Sequence, residues 1–269
     1  MVVLKDITIG QYFPGNSFMH RLDPRMKLLL TLLYVVMLFL VPDFWGFLVV
    51  GILLGLVVAF SGVSLKVVFR GLKPLLFIIV FTAFFNVLYG GGEPLFPEIS
   101  WLAWIKTDGV RNALFMIIRI VLLILGTSYL TYTTSPVMLT DAMERLLRPL
   151  KVFRFPVHEL AMMMTIALRF IPTLIDETDK IINAQKARGA DFETGNIVRR
   201  AKALIPILIP LLISAFRRAE ELADAMECRC YHGGEGRTRY KVYSFTWRDW
   251  LALSVVALAM GIVILMMIG

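Results

Sequence analysis

The sequence predicts an all-α integral membrane protein of about five transmembrane helices, with a cytoplasmic domain of two long amphipathic helices and a short one. Three observations predict it. Of 269 residues, 58% are apolar and 18% charged, against roughly 45–50% and 25% in a soluble domain. The apolar residues are gathered into long uncharged runs, as crossing a bilayer requires. Nearly all the mixed charge falls in residues 132–249, which hold 18 of the 28 Lys and Arg and 14 of the 20 Asp and Glu. This distribution excludes a soluble enzyme, a secreted disulfide scaffold, a disordered tail and a collagen-like rod. Cys228 and Cys230, one residue apart, cannot frame a fold. The net charge of +8 would point to nucleic acid in a soluble protein; here it reflects Lys and Arg retained on the cytoplasmic side. Residues 1–27 carry Lys5, Asp6, Arg21, Asp23, Arg25 and Lys27 without an apolar core, so no cleavable signal peptide is expected.

In chain order, residues 1–26 are expected as a cytoplasmic N-terminal segment and 27–132 as four transmembrane helices. A cytoplasmic domain at 133–246 and a final transmembrane helix at 247–269 complete the chain. The uncharged run 28–42 reaches spanning length if Arg25 and Lys27 snorkel at its start. Runs 44–65 and 74–92 follow, then about 110–131, interrupted by Arg119, and finally 250–269. Trp45, Trp101, Trp104, Trp247 and Trp250 fall at or near span ends, where aromatic belts sit. With the N-terminus inside, Lys106 and Arg111 are outside and Arg119 lies in the membrane, so the other 25 of 28 basic residues are inside. The reverse orientation breaks the positive-inside rule almost completely. The expected location is therefore the cell membrane, multi-pass, with the C-terminus outside.

The insert between the last two spans is too long for a plain loop and should be functional. It reads as a short helix at about 136–149 followed by two long ones. The first, 157–188, has Leu160, Met163, Ala167, Phe170, Leu174, Ile181 and Gln185 at helical spacing. Asp176 and Glu177 can pair with Lys180 across a turn, Pro172 predicts a kink, and Gly189 a left-handed cap. The second starts after Asn196, a good N-cap, and ends near Cys230. Its apolar stripe runs through Ile197, Ala201, Leu204, Leu208, Leu211, Ala215, Leu222 and Met226. The apolar run 203–216 within it is too short to span and has basic residues on both flanks, so it reads as a helix in or under the interface.

Enzyme motifs are missing: no phosphate-binding loop, no H-E-x-x-H and no G-x-S-x-G occur. No catalytic, cofactor or metal residue is assigned. Cys228, Cys230 and His232 are proper zinc ligand types, but a structural site wants four at wider spacing, and Arg229 between the thiols repels a cation. Arg119 within a span reads either as part of a substrate or ion pathway or as a hydrogen-bonded residue facing the bundle interior. The sharper signal is a repeat. Each long helix ends in an Arg between small residues, Ala187-Arg188-Gly189 and Cys228-Arg229-Cys230. Small neighbours let a guanidinium at a helix tip enter a partner's groove, where its planar fork meets carboxylates or carbonyls. A cation complementing the helix macrodipole is the plainer reading of either Arg alone.

These residues resemble the transmembrane T component of energy-coupling factor (ECF) transporters, ABC-type importers of vitamins and transition-metal ions. The resemblance extends over nearly the whole chain. It covers PGNSFMHRLDPRMK (Pro14–Lys27), FTAFFN (Phe81–Asn86), TYTTSP (Thr131–Pro136), ALRFIPTLIDE (Ala167–Glu177), AQKARGADF (Ala184–Phe192) and FRRAEELADAMECRCY (Phe216–Tyr231). It implies a non-enzymatic subunit, without cofactors, in which the paired X-Arg-X motifs dock two cytoplasmic ATPases. This places Arg188 and Arg229 at the ATPase contacts, with Cys228 standing where Ala or Gly is usual. A membrane-embedded substrate-binding S component would be the third partner, and the lipid bilayer the medium. A self-contained secondary transporter or channel is the rival reading; the absence of an inverted repeat or paired broken helices speaks against it.

Overall fold

The structure, a computed structural model, describes residues 12–92, 106–190, 192, 196–233 and 243–268. Among them it is all-helical apart from turns and connections: α1 (Pro24–Leu40), α2 (Phe44–Ser61), α3 (Leu65–Leu72), α4 (Leu76–Tyr89), α5 (Thr107–Thr133), α6 (Pro136–Leu146), α7 (Val157–Ala187), α8 (Ile197–Cys228) and α9 (Trp247–Ile268). The described residues divide into two compact units, one within 9–142 and 242–269 and the other within 143–241. Trp101 and Trp104 lie outside the described residues, as does most of the loop expected outside the cell.

Among the described residues, four helices are long and apolar enough to cross a membrane: α2, α5, α7 and α9. The expected first and third spans form as helices, but shorter ones. α1 has 17 residues because Asp23-Pro24 starts it and Pro42 follows its cap. α4 has 14 because Pro74 sits in a 3-10 turn, Lys73–Leu75, that separates it from α3. α7 qualifies by length and composition, yet is the least apolar of the four. Asp176, Glu177, Asp179 and Lys180 lie along its second half.

In the first unit, α1 packs between α5 and α9, and α2 against α5 and α9. Its core includes Met37 and Leu38 of α1, Val50 of α2 and Val263 of α9, all fully buried. One buried carboxylate joins two helix starts. Asp249 Oδ2 accepts the Thr246 backbone N–H at 2.7 Å, an N3 side chain reaching back to its own N-cap. Oδ1 accepts the N–H of Asp23, the N-cap of α1, at 2.8 Å. Both helix N-termini direct positive dipole ends at this carboxylate. Nearby, the buried Lys27 Nζ donates to Thr133 O at 2.8 Å and Thr134 Oγ1 at 3.3 Å, tying α1 to the end of α5.

Higher in the bundle, α1 approaches α5 at Gly126. Tyr34 lies over this glycine and donates its hydroxyl to Leu122 O at 2.7 Å. A Cβ built on Gly126 would fall 2.2 Å from Tyr34 Cε1. Gly126→Ala therefore expels the ring and breaks its hydrogen bond, and overpacking of this kind costs about 1–3 kcal/mol. The expected result is a lower Tm of the purified protein, largely restored by adding Tyr34→Leu; an unchanged Tm in the single variant would refute the contact.

Arg119 sits half-buried in this unit. Its Nη2 donates to Val41 O, the C-cap carbonyl of α1, at 3.2 Å. Its guanidinium carbon lies 4.8 Å from the ring centroid of Phe115, 5.8 Å from Phe39 and 5.9 Å from Phe47. Three ring faces and a freed carbonyl compensate the charge, so of its two readings the structure favours the hydrogen-bonded interior residue.

Candidate functional site

The second unit contains α7 and α8, each carrying one of the Arg motifs at its end. Both ends are built the same way. α7 closes at Ala187 with Arg188 as C-cap; Gly189 N–H donates to Lys186 O at 2.9 Å and Ala190 N–H to Gln185 O at 3.0 Å. α8 closes at Cys228 with Arg229 as C-cap; Cys230 N–H donates to Glu227 O at 2.8 Å and Tyr231 N–H to Met226 O at 3.0 Å. These are two Schellman motifs, in which the residue after the cap turns left-handed and the last carbonyls are satisfied. That residue is Gly189 at φ 87° in one and Cys230 at φ 55° in the other. The sequence shows the first cap and hides the second, because a left-handed cysteine carries no local signature.

The cysteine bears a steric cost that the glycine does not, about 1–2 kcal/mol for an L-residue in this conformation. Cys230→Gly should therefore raise the Tm, and Gly189→Ala should lower it. The thermal unfolding of the two variants, measured side by side, checks the sign; a destabilising Cys230→Gly would contradict the shared cap geometry.

All six motif residues, Ala187, Arg188, Gly189, Cys228, Arg229 and Cys230, are exposed. Among the described residues neither the Arg188 nor the Arg229 guanidinium has a hydrogen-bond or ion-pair partner. Two fixed cations thus project from two helix ends with their donors unused.

The helices holding them are locked at one crossing. Glu177 of α7 accepts hydrogen bonds from Ser214 and, at 3.0 Å, from Arg218 Nη2, both on α8. These two donors, with Ser214 the stronger influence, hold the Glu177 carboxyl below its usual range. Lys180, which spacing offers as a partner of Asp176 and Glu177, acts on Glu177 through charge, while the hydrogen bonds of Glu177 go to α8. One turn or two further along, Gln185 Nε2 donates to Pro206 O at 3.4 Å. That carbonyl lacks its helical partner because Pro210, four residues on, has no N–H. Ile182 and Ile207, on the same stretches of the two helices, are buried, 6% and 4% exposed. The pairs 177–214 and 185–206 run in opposite senses, so α7 and α8 are antiparallel here.

The stripe expected along α8 holds at Leu211, Ala215, Leu222 and Met226, which are half-buried, but not at Leu204 and Leu208. Ile207 is buried while Leu204 and Leu208 are exposed, together with Ile205, Ile209, Leu212, Ile213 and Phe216. The helix is apolar on several faces over 203–216, so its periodicity does not select the packed one. Asn196 is the N-cap by position, but its side chain makes no capping hydrogen bond. α7 runs on through Pro172, and α8 through Pro206 and Pro210.

Residues 15–240 match the family model of CbiQ, described as a cobalt transport protein. The chain belongs to that family. Its curated relatives carry a more specific name. It is 53% identical over 265 residues to the energy-coupling factor transporter transmembrane protein EcfT of Ruminiclostridium cellulolyticum, covering 98% of each chain. Proteins of the same name from Clostridium kluyveri, at 52% identity with 93% of each chain covered, and Thermosediminibacter oceani, at 54% with 91% and 92% covered, are similar. The resemblance to the ECF transmembrane component is thereby confirmed. The chain is an all-helical membrane protein of this transporter family, and both X-Arg-X ends lie within the matched region.

Proposed function

We propose that this chain is the transmembrane coupling subunit of an ECF-type importer. In this reading it docks two cytoplasmic ATPases through Arg188 and Arg229 and passes their ATP-driven motion to a membrane-embedded S component, for uptake of a vitamin or metal ion. It has no catalytic role of its own. The observation that carries the proposal is the pair of identically capped helix ends, each presenting an unpaired guanidinium. The macrodipole explains one such cation, but it does not call for two matched Schellman ends. The apolar side chains exposed along α8, with Met163 and Met164 of α7, supply an adaptable surface for the S component. The relatives' printed name, transmembrane protein of an energy-coupling factor transporter, supports the same assignment. The rival reading as a self-contained transporter drew on Arg119, which is occupied by Val41 and three phenyl rings.

Co-expression with the two ATPases and an S component tests the proposal directly. Recovery of the ATPases with the affinity-tagged chain, and uptake that requires ATP, are expected. Substrate uptake by the chain alone in ATPase-free vesicles would sink it.

The five-span topology, with the N-terminus inside and α7 and α8 cytoplasmic, is part of the same proposal and has its own test. Single cysteines in the loop between Gly90 and Gly109, in a background with Cys228 and Cys230 replaced, should react with an impermeant thiol reagent in intact cells. Cysteines at 190–196 should react only after the membrane is opened. External labelling at 190–196 would overturn the assignment.

A further inference from the structure

Between α1, α2, α5 and α9 lies a cavity of about 320 Å³. Its walls gather at one end of these helices. Lys27 near the start of α1, Phe60 near the end of α2, Thr133 at the end of α5 and Leu251 near the start of α9 all line it. Phe18 and Met19, from the segment before α1, add to its lining there. Interiors normally hold few voids larger than a water molecule, and this one is about twice the ~150 Å³ of an apolar cavity that stays dry and accepts a hydrocarbon.

Its chemistry points to one class of occupant. All but one of the polar side chains of the wall are already engaged: Lys27 with Thr133 and Thr134, the Thr31 hydroxyl with Lys27 O, the Tyr34 hydroxyl with Leu122 O and the Thr133 hydroxyl with Tyr129 O. The exception is the buried Tyr129 hydroxyl, which lies near Ser61 without a hydrogen-bond partner among the described residues. The remaining wall is aliphatic and aromatic. A charged or strongly hydrogen-bonding ligand would lose its water there for little return. The mouth is lateral: Leu56 and Phe60 of α2 and Leu251 and Val255 of α9 line the cavity and are also exposed. In a membrane-spanning unit, these side chains meet the bilayer.

We propose that this cavity binds the acyl chain of a bilayer phospholipid, entering between α2 and α9 and wedging the four helices at their Lys27 end. The headgroup stays outside the cavity. The site is independent of the ATPase-docking ends.

The experiment uses the full complex reconstituted in nanodiscs of phosphatidylethanolamine and phosphatidylglycerol, a fraction of the latter carrying a photoactivatable diazirine midway along one acyl chain. After illumination, labelled residues are mapped by peptide mass spectrometry. Labelling of Leu54, Tyr129 and Ala252, which do not face the bilayer, is expected alongside labelling of outward residues such as Leu258. Val255→Trp narrows the mouth from an exposed position and should cut the interior labelling about tenfold, the change expected for loss of two buried methylene contacts, while Leu258 labels as before. Ala252→Phe fills the space from inside and should do the same. Interior residues that remain unlabelled in the unaltered protein, or labelling that persists undiminished in either folded variant, would overturn the proposal.

Discussion

Replacing both Arg188 and Arg229 with Ala should abolish recovery of the ATPases with the affinity-tagged chain, while the chain itself still inserts in the membrane. Each guanidinium is exposed and at a helix C-cap, with no partner among the described residues, so neither holds the fold together. Truncating them should leave the Tm within the range of surface changes, about 0.5 kcal/mol. The effect on docking is of another order. A hydrogen bond to a charged group contributes about 1.5–3 kcal/mol, so each single variant should weaken ATPase binding about ten- to a hundredfold. Arg→Lys should restore only part, because an ammonium lacks the planar fork. The measurement is co-purification in parallel with thermal unfolding of the tagged chain. Undiminished co-purification and ATP-dependent uptake in the double variant would remove the docking assignment, whereas a collapsed Tm would show the arginines to be structural.

Three of the five expected spans and the C-terminal ends of α7 and α8 were legible as helices in the sequence because they depend on local composition. Uncharged runs give α2, α5 and α9 to within a few residues, and Asp23-Pro24 is a helix start by residue type alone. What stayed hidden depends on partners distant in the chain. Glu177 has a Lys three residues on, which spacing rules notice, but its hydrogen-bond partners Ser214 and Arg218 are 37 and 41 residues away. Asp249 has a readable signal in Thr246-x-x-Asp249, yet nothing local says that it also holds the N-terminus of α1, 226 residues earlier. On α8, apolar residues occupy several faces, so a three-to-four spacing fits more than one stripe. In the folded chain Ile207 is buried while Leu204 and Leu208 are exposed. The Cys230 cap is the reverse case, a common motif with an uncommon residue in its left-handed position.

Crosslinkers placed at Ala187 and Cys228 should reach two different ATPase subunits. The separation of the ends follows from the register of the crossing. Gln185 lies level with Pro206, and Glu177 with Ser214, so each step forward on α7 is a step back on α8. Extended along the helices, this register sets Arg229 level with Met162, which is 26 residues before Arg188. At 1.5 Å per residue the two arginines are up to about 40 Å apart, less where the helices diverge from antiparallel. One groove on one small ATPase domain cannot receive both. Two ATPases side by side present two grooves, and a change in their spacing would be felt as a torque about the contact of Glu177 with Ser214 and Arg218. With the two ATPases distinguishable by mass, position 187 should crosslink predominantly to one and position 228 to the other, and ATP should change the yield at both. Glu177→Gln, which keeps the side chain's shape but gives up the ion pair with Arg218, should leave both crosslinks in place while reducing uptake per ATP hydrolysed. Crosslinks from both positions to a single subunit would refute the two-groove arrangement, and a Glu177→Gln variant with undiminished uptake per ATP would show that the crossing holds the helices without transmitting their motion.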